Sequence, residues 1–169
     1  FVPEGSVVPM VCDDPRIVRV RTFSKAHGMA GARVGYAITH PEIVQTFNRI
    51  RLHFGVNRMA QEGALASLGD KKFIEDVIRK VNEGRLEYES LGRELGIPTL
   101  PSRTNFVSFD LSTKERAVGV MTSLIEQGVF VRMPGVPPLD RLVRITIGTE
   151  RDRALFAEAL RGALSSGPD

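Results

Sequence analysis

A chain of 169 residues that is 42% hydrophobic can bury an ordinary core, and its 23 basic and 20 acidic residues leave a formal charge of only +3. The arginines are scattered, with no basic block and no aromatic-basic alternation, which argues against nucleic-acid binding, and no apolar run approaches the ~18 residues of a membrane span. One cysteine, Cys12, excludes an internal disulfide; it reads as a small buried hydrophobe and, with no charged-then-apolar leader in view, fits a reducing, cytoplasmic setting.

Residues 1–15 are rich in Pro, Gly and Asp and read as an irregular approach to a first strand. Because the chain opens on Phe1, a fragment of a longer protein is expected. Arg16 to Phe23 alternates charged and apolar residues, as a strand with one buried face would, and Val34 to Ile38 reads as a second short strand. Between them runs a segment punctuated by Gly28 and Gly31, with Gly35 just beyond, whose backbone can come close to a bound group for lack of a Cβ. Ser24 offers a hydroxyl donor there, and Arg33 a planar fork suited to phosphate oxygens. Lys25 offers a primary amine, which beside a second fixed positive charge in a partly dry pocket becomes a nucleophile toward aldehydes. A phosphorylated aldehyde suits that set, although the same residues also read as a solvated turn.

Thr39, as cap, and Pro41 open a helix with Ile43, Val44, Phe47 and Ile50 on one face. After a break at Leu52 to Asn57 a second helix is expected from about Arg58 to Leu68, ended by Gly69. Asn57 reads as a structural loop residue. From Lys71 to Leu95 a long charged helix follows, with Gly84 at a bend or a second start, stopped by Gly96 and Pro98. Its length suits a connector, and the domain boundary is placed near residue 80.

The remainder has the rhythm of a compact α/β domain: a strand over Thr104 to Leu111, a helix capped by Ser112 and closed by Gly128, and a strand over Val129 to Arg132. A proline-rich loop, a strand over Leu142 to Gly148 and a last helix capped by Thr149 complete it, before a tail from Ser165. Arg144 alternates with Val143, Ile145 and Ile147, so its guanidinium faces away from the isoleucines and needs a carboxylate, from the protein or from a substrate. Arg132 reads as surface charge, and Asn105 as a turn residue or a substrate contact. His27, His40 and His53 have no partner at metal-ligand spacing, so no metal is expected.

The pattern Ser24-Lys25-x-x-Gly28-Met29-Ala30-Gly31-x-Arg33-x-Gly35-Tyr36 specifies nine positions over thirteen residues. It resembles the cofactor-lysine segment of the fold type I pyridoxal-phosphate aminotransferases of class I/II, within them most closely the histidinol-phosphate aminotransferase group. L-V-R-I-T-I-G-T, from Leu142, is similar to the segment with which these enzymes bind the substrate α-carboxylate. The resemblance implies an α/β fold, a piece of the type I architecture: residues 1–80 as the end of the large cofactor domain with the connecting helix, and 81–169 as the small C-terminal domain.

It further implies pyridoxal 5'-phosphate as cofactor, Lys25 as the Schiff-base lysine that also shuttles a proton, and Ser24 and Arg33 on the cofactor phosphate. Arg144 would anchor the substrate carboxylate, Arg132 would read its far end, and Asn57, with His53, would lie in a substrate-side loop. Small amino acid and 2-oxo acid substrates and a homodimer follow from the same likeness. The family's pyridine-nitrogen aspartate, ring-stacking aromatic and Gly-rich phosphate turn are not in this sequence, so little turnover is expected of these 169 residues alone. A decarboxylase acting on a phosphorylated amino acid, a non-catalytic effector-binding domain of aminotransferase type, and a plain α/β interaction domain stand as alternatives.

Overall fold

A computed structural model of the chain describes Phe1 and residues 12–165. The expected irregular approach therefore lies mostly, and the expected tail almost wholly, outside the described residues. Two compact units divide between Ile78 and Arg79, inside a helix.

In the first unit, strand β1 (Val18–Thr22) pairs antiparallel with β2 (Gly35–Thr39), in a register that sets Thr22 opposite Gly35. A Cβ on Gly35 would fall 2.6 Å from the Arg21 carbonyl oxygen, so the hairpin closes only around a glycine. One buried face was expected of this strand, yet Ile17, Val18 and Val20 are exposed, Val20 to 68%. The ribbon has two strands, and no described element covers its apolar side. Cys12 is likewise exposed rather than buried.

Helix α1 (Pro41–Ile50) starts one residue later than the sequence suggested. Thr39 is still in β2, buried, with its hydroxyl donating to the Ile17 carbonyl at 2.7 Å. His40 takes the cap instead, its ring nitrogen accepting from the Glu42 amide at 3.4 Å. Helix α2 (Arg58–Gly69) follows, and its buried residues are Ala60 and Ala64.

Helix α3 (Lys71–Glu94) continues unbroken through Gly84, so no second helix starts there. Gly84 has another use: a Cβ there would meet the Ile147 side chain at 2.6 Å and Arg153 Cδ at 2.9 Å. Gly96, in the left-handed region at φ 66°, ends the helix, with the Ile97 amide donating to the Gly92 carbonyl at 2.8 Å.

In the second unit, β3 (Phe106–Asp110) pairs antiparallel with β4 (Leu142–Thr146). Helix α4 (Lys114–Glu126) lies between them in sequence and α5 (Glu150–Ser165) follows β4. Ser112 cannot cap α4 because it sits at φ 72°; Thr113 is extended and accepts from the Arg116 amide at 3.2 Å. The strand expected over Val129 to Arg132 shrinks to one bridge, Arg132 to Arg144. Gly128 turns the chain just before it, and Pro134 just after lacks the N–H that a longer ladder needs.

A single core joins the inner face of the sheet (Val107, Phe109, Leu111, Val143, Ile145, Ile147) to stripes from α3, α4 and α5. Tyr88, Phe109 and Phe156 pack edge-on or tilted at its centre, and burial pushes the Tyr88 hydroxyl up to about 12. Arg153, itself buried, clamps α5 to α3 through two bonds to Glu87 at 2.6 and 3.0 Å. No helix among the described residues is long and apolar enough to cross a membrane.

Two outcomes test this packing. Gly84→Ala should lower the urea midpoint by the equivalent of about 1–3 kcal/mol, the usual cost of overpacking; an unchanged midpoint would contradict the close approach. At the start of α5, Asp152 accepts from the Thr149 amide at 2.9 Å and hydroxyl at 2.7 Å, which hold its carboxyl below the usual carboxylate range. A folded value below the unfolded one stabilises above that range and is lost as pH falls through it. Asp152→Asn should therefore lower the melting temperature at neutral pH, with the deficit shrinking on acidification; a deficit independent of pH would overturn this.

Candidate active site

The segment between β1 and β2 is folded on itself by its own backbone. The Met29 amide donates to the Phe23 carbonyl at 2.9 Å, the Gly28 amide to the Lys25 carbonyl at 2.8 Å, and the Phe23 amide to the Val34 carbonyl at 3.2 Å. Gly28 has φ 69°, the left-handed region a glycine enters without strain, and Ala30–Ala32 form one 3-10 turn. Arg33 has φ 52° despite its Cβ, and its guanidinium donates to the Ala30 carbonyl at 2.7 Å. A non-glycine residue held there carries backbone strain.

Beneath the segment, Phe23 is 2% exposed and stacks its ring 4.6 Å from His27 and 5.7 Å from Tyr36. His27 Nδ1 shares a 2.7 Å hydrogen bond with the Ser67 hydroxyl, and Met29 reaches within 3.0 Å of where a Gly63 Cβ would be, so α2 buttresses the turn. His27 entered the sequence reading only as a histidine without a metal partner and Ser67 not at all, since residues 40 apart give no local signal.

Ser24 and Arg33 line one open groove of about 420 Å³, together with Arg21, Thr22 and residues 34–37. Among the described residues the Ser24 hydroxyl and the Lys25 amine have no hydrogen-bond or ion-pair partner. Lys25 is exposed, so the partly dry pocket expected around it is not built by these residues. Open space surrounds Gly28 and Gly31, with no heavy atom within 4 Å of an added Cβ. An amine, a hydroxyl and a guanidinium beside uncrowded backbone suit a phosphate-bearing aldehyde by donor chemistry.

Asn57 lies elsewhere in this unit: its side-chain oxygen caps α2, accepting from the Ala60 amide at 2.8 Å. A second groove, of about 530 Å³, is lined by Val34, Arg51, His53 and Gln61 among others, and shares Val34 with the first.

Within the other unit, Arg132 and Arg144 exchange both backbone hydrogen bonds, at 3.0 and 2.7 Å. Residues paired in this way project from the same face of a sheet. That face is the one turned away from the core, where Ser108 is also opposite Arg144 and the Arg144 guanidinium carbon lies 4.6 Å from the Phe106 ring centroid. Among the described residues no carboxylate is within ion-pair distance of either arginine, and Asp110 on the same strand is taken by Arg141 at 2.8 Å. Two unpaired cations facing each other are destabilising until an anion joins them. Asn105 uses its backbone carbonyl to accept from the Ile147 amide at 2.9 Å.

Comparison with known proteins agrees over nearly the whole chain. The model of the family Aminotransferase class I and II matches residues 1–160. A histidinol-phosphate aminotransferase 2 from Legionella pneumophila is 38% identical over 149 residues, 88% of this chain and 40% of that protein. The crystal structure of histidinol-phosphate aminotransferase from Sinorhizobium meliloti in complex with pyridoxal-5'-phosphate superposes with a TM-score of 0.88 and 38% identity, over 92% of this chain and 43% of that one. An L-threonine-O-3-phosphate decarboxylase structure from Porphyromonas gingivalis gives 0.78 and 26%, over 91% and 48%. The chain thus spans about two fifths to one half of the length of these relatives.

Removing the His27 ring should loosen the turn. His27→Ala is expected to cost about 1 kcal/mol, one buried hydrogen bond, and to speed hydrogen exchange at the Gly28 and Met29 amides; exchange at the parent rate would show that Ser67 does not restrain it.

Proposed function

Since the chain belongs to the class I and II aminotransferases, and its fold is that of the type I pyridoxal-phosphate enzymes, we propose that it carries the cofactor lysine and substrate arginines of a transaminase. That enzyme moves an amino group between an amino acid or amino-phosphate and a 2-oxo acid, with histidinol phosphate the amino donor favoured by the named relatives. The supporting observation is the Lys25 amine, exposed and without a partner among the described residues, next in sequence to Ser24, which lines one groove with Arg33.

Pyridoxal 5'-phosphate, when bound, supplies the electron sink for the bond broken at the substrate α-carbon. Lys25 Nζ would be the covalent anchor for it and, as a free amine, would take the proton from the substrate α-carbon. The Ser24 hydroxyl and Arg33 guanidinium would hold its phosphate by charge-assisted hydrogen bonds. Arg144, stacked on Phe106 and with no carboxylate in ion-pair range among the described residues, would pair with the substrate α-carboxylate. Arg132, on the same face, reads a second anionic group at the substrate's far end. Asn57 keeps its amide nitrogen for a ligand, its oxygen being taken by the α2 cap. The substrates are small molecules, and the assembly is a cytoplasmic homodimer.

A second reading, decarboxylation of a phosphorylated amino acid, is favoured by the likeness to the threonine-phosphate enzyme. It keeps the same lysine and would release carbon dioxide in place of a 2-oxo acid.

The test is borohydride trapping. Pyridoxal phosphate added to the protein and reduced should leave a stable adduct on Lys25, found by peptide mass analysis, and Lys25→Ala should carry none; labelling spread over surface lysines with Lys25 spared would defeat the proposal.

A further inference from the structure

Arg85, on α3, is buried to 6% exposure without a carboxylate in ion-pair range among the described residues. One terminal nitrogen donates to the Asn82 side-chain oxygen at 3.0 Å, three residues back on the same helix, and the other to the Thr104 carbonyl at 2.9 Å. Its Nε is buried with no hydrogen-bond partner among the described residues. Desolvation, with repulsion from Arg103, lowers its pKa, and Glu89 offsets only part of this. Such a group costs stability, because an apolar side chain of similar volume would need neither the desolvation nor the missing hydrogen bond.

What the guanidinium holds is the turn of residues 102–106. The Ser102 hydroxyl donates to the Phe106 carbonyl at 2.6 Å and accepts from the Thr104 amide at 3.1 Å. Asn105 is bonded to Ile147 on the far side, and Ile147 abuts Gly84, the residue preceding Arg85. The turn delivers Phe106 into β3, and the Phe106 ring is the shelf under the Arg144 guanidinium.

We propose that Arg85 is a positioning residue: by gripping the Thr104 carbonyl it fixes the turn that places Asn105 and the Phe106 ring, and through that ring it sets the Arg144 guanidinium for an anionic ligand. The ligand half of this rests on the reading of Arg144 as a carboxylate anchor; the placement half does not. Arg103, exposed on the same turn, adds to the positive potential at Arg85.

Arg85→Met and Arg85→Lys, made in the full chain, separate positioning from bulk stability. The Arg144 Nε–Hε resonance should be displaced by the Phe106 ring current in the parent chain. In Arg85→Met it should move toward the value of a free arginine while the melting temperature holds or rises. Malonate, titrated as the anionic probe, should then bind about three- to tenfold more weakly at Arg144, the range one lost hydrogen bond carries. Arg85→Lys, which can still donate to Thr104, should recover part of both. An Arg144 resonance and malonate affinity unchanged in Arg85→Met would overturn the proposal, as would a fall in affinity that merely tracks a fall in melting temperature. Should malonate leave Arg144 of the parent chain unperturbed, the carboxylate-anchor reading fails by itself, and the resonance alone decides whether Arg85 positions.

Discussion

The second unit depends on α3 lying against the end of the last strand and the start of the last helix, which a side chain at Gly84 would prevent. With that approach allowed, Arg153 reaches Glu87 with two hydrogen bonds, and Tyr88 reaches Phe109 and Phe156. Arg85 is then held over the turn before β3. In the first unit a smaller version of the same constraint operates, with Met29 of the turn seated against Gly63 of α2. In both cases a helix backbone is brought close to the segment that carries the candidate functional groups, and the missing Cβ makes room.

Arginines in the second unit fall into two kinds by what answers their charge. Arg153, Arg161 and Arg141 each meet a carboxylate, Glu87, Glu94 and Asp110, and those pairs join elements of the fold. Among the described residues Arg132 and Arg144 meet none, although they are directly opposite each other, and Arg85 meets only neutral oxygens. A chain with 20 acidic residues could supply partners. Leaving these cations unanswered is intelligible as a cost accepted for a ligand or for positioning one.

The elements themselves were largely legible, because apolar periodicity and glycine stops are local signals. Gly96 and Gly128 end α3 and α4 as read, and Thr149 caps α5 as read. Misreadings came where a neighbour in space decided. Thr39 was claimed by Ile17 and Ser112 by a left-handed turn, so each cap moved one residue on. Val129 to Arg132 has strand-like residues but only one free rung between a glycine and a proline. Cys12 and the outer side of β1 look buried by composition and are exposed, since nothing described packs there. The lysine motif was visible as a pattern, whereas its support by His27, Ser67 and Met29, and the role of Arg85, need distances that no spacing rule contains.

The left-handed backbone at Arg33 bears on engineering. Glycine would relieve about 1 kcal/mol or more there, so a search guided only by heat resistance would choose it early and discard the guanidinium without warning. With Arg33 read as the proposed phosphate contact, robustness and chemistry pull this one position in opposite directions, and a redesign that keeps that proposal open has to freeze residue 33 before optimising the rest.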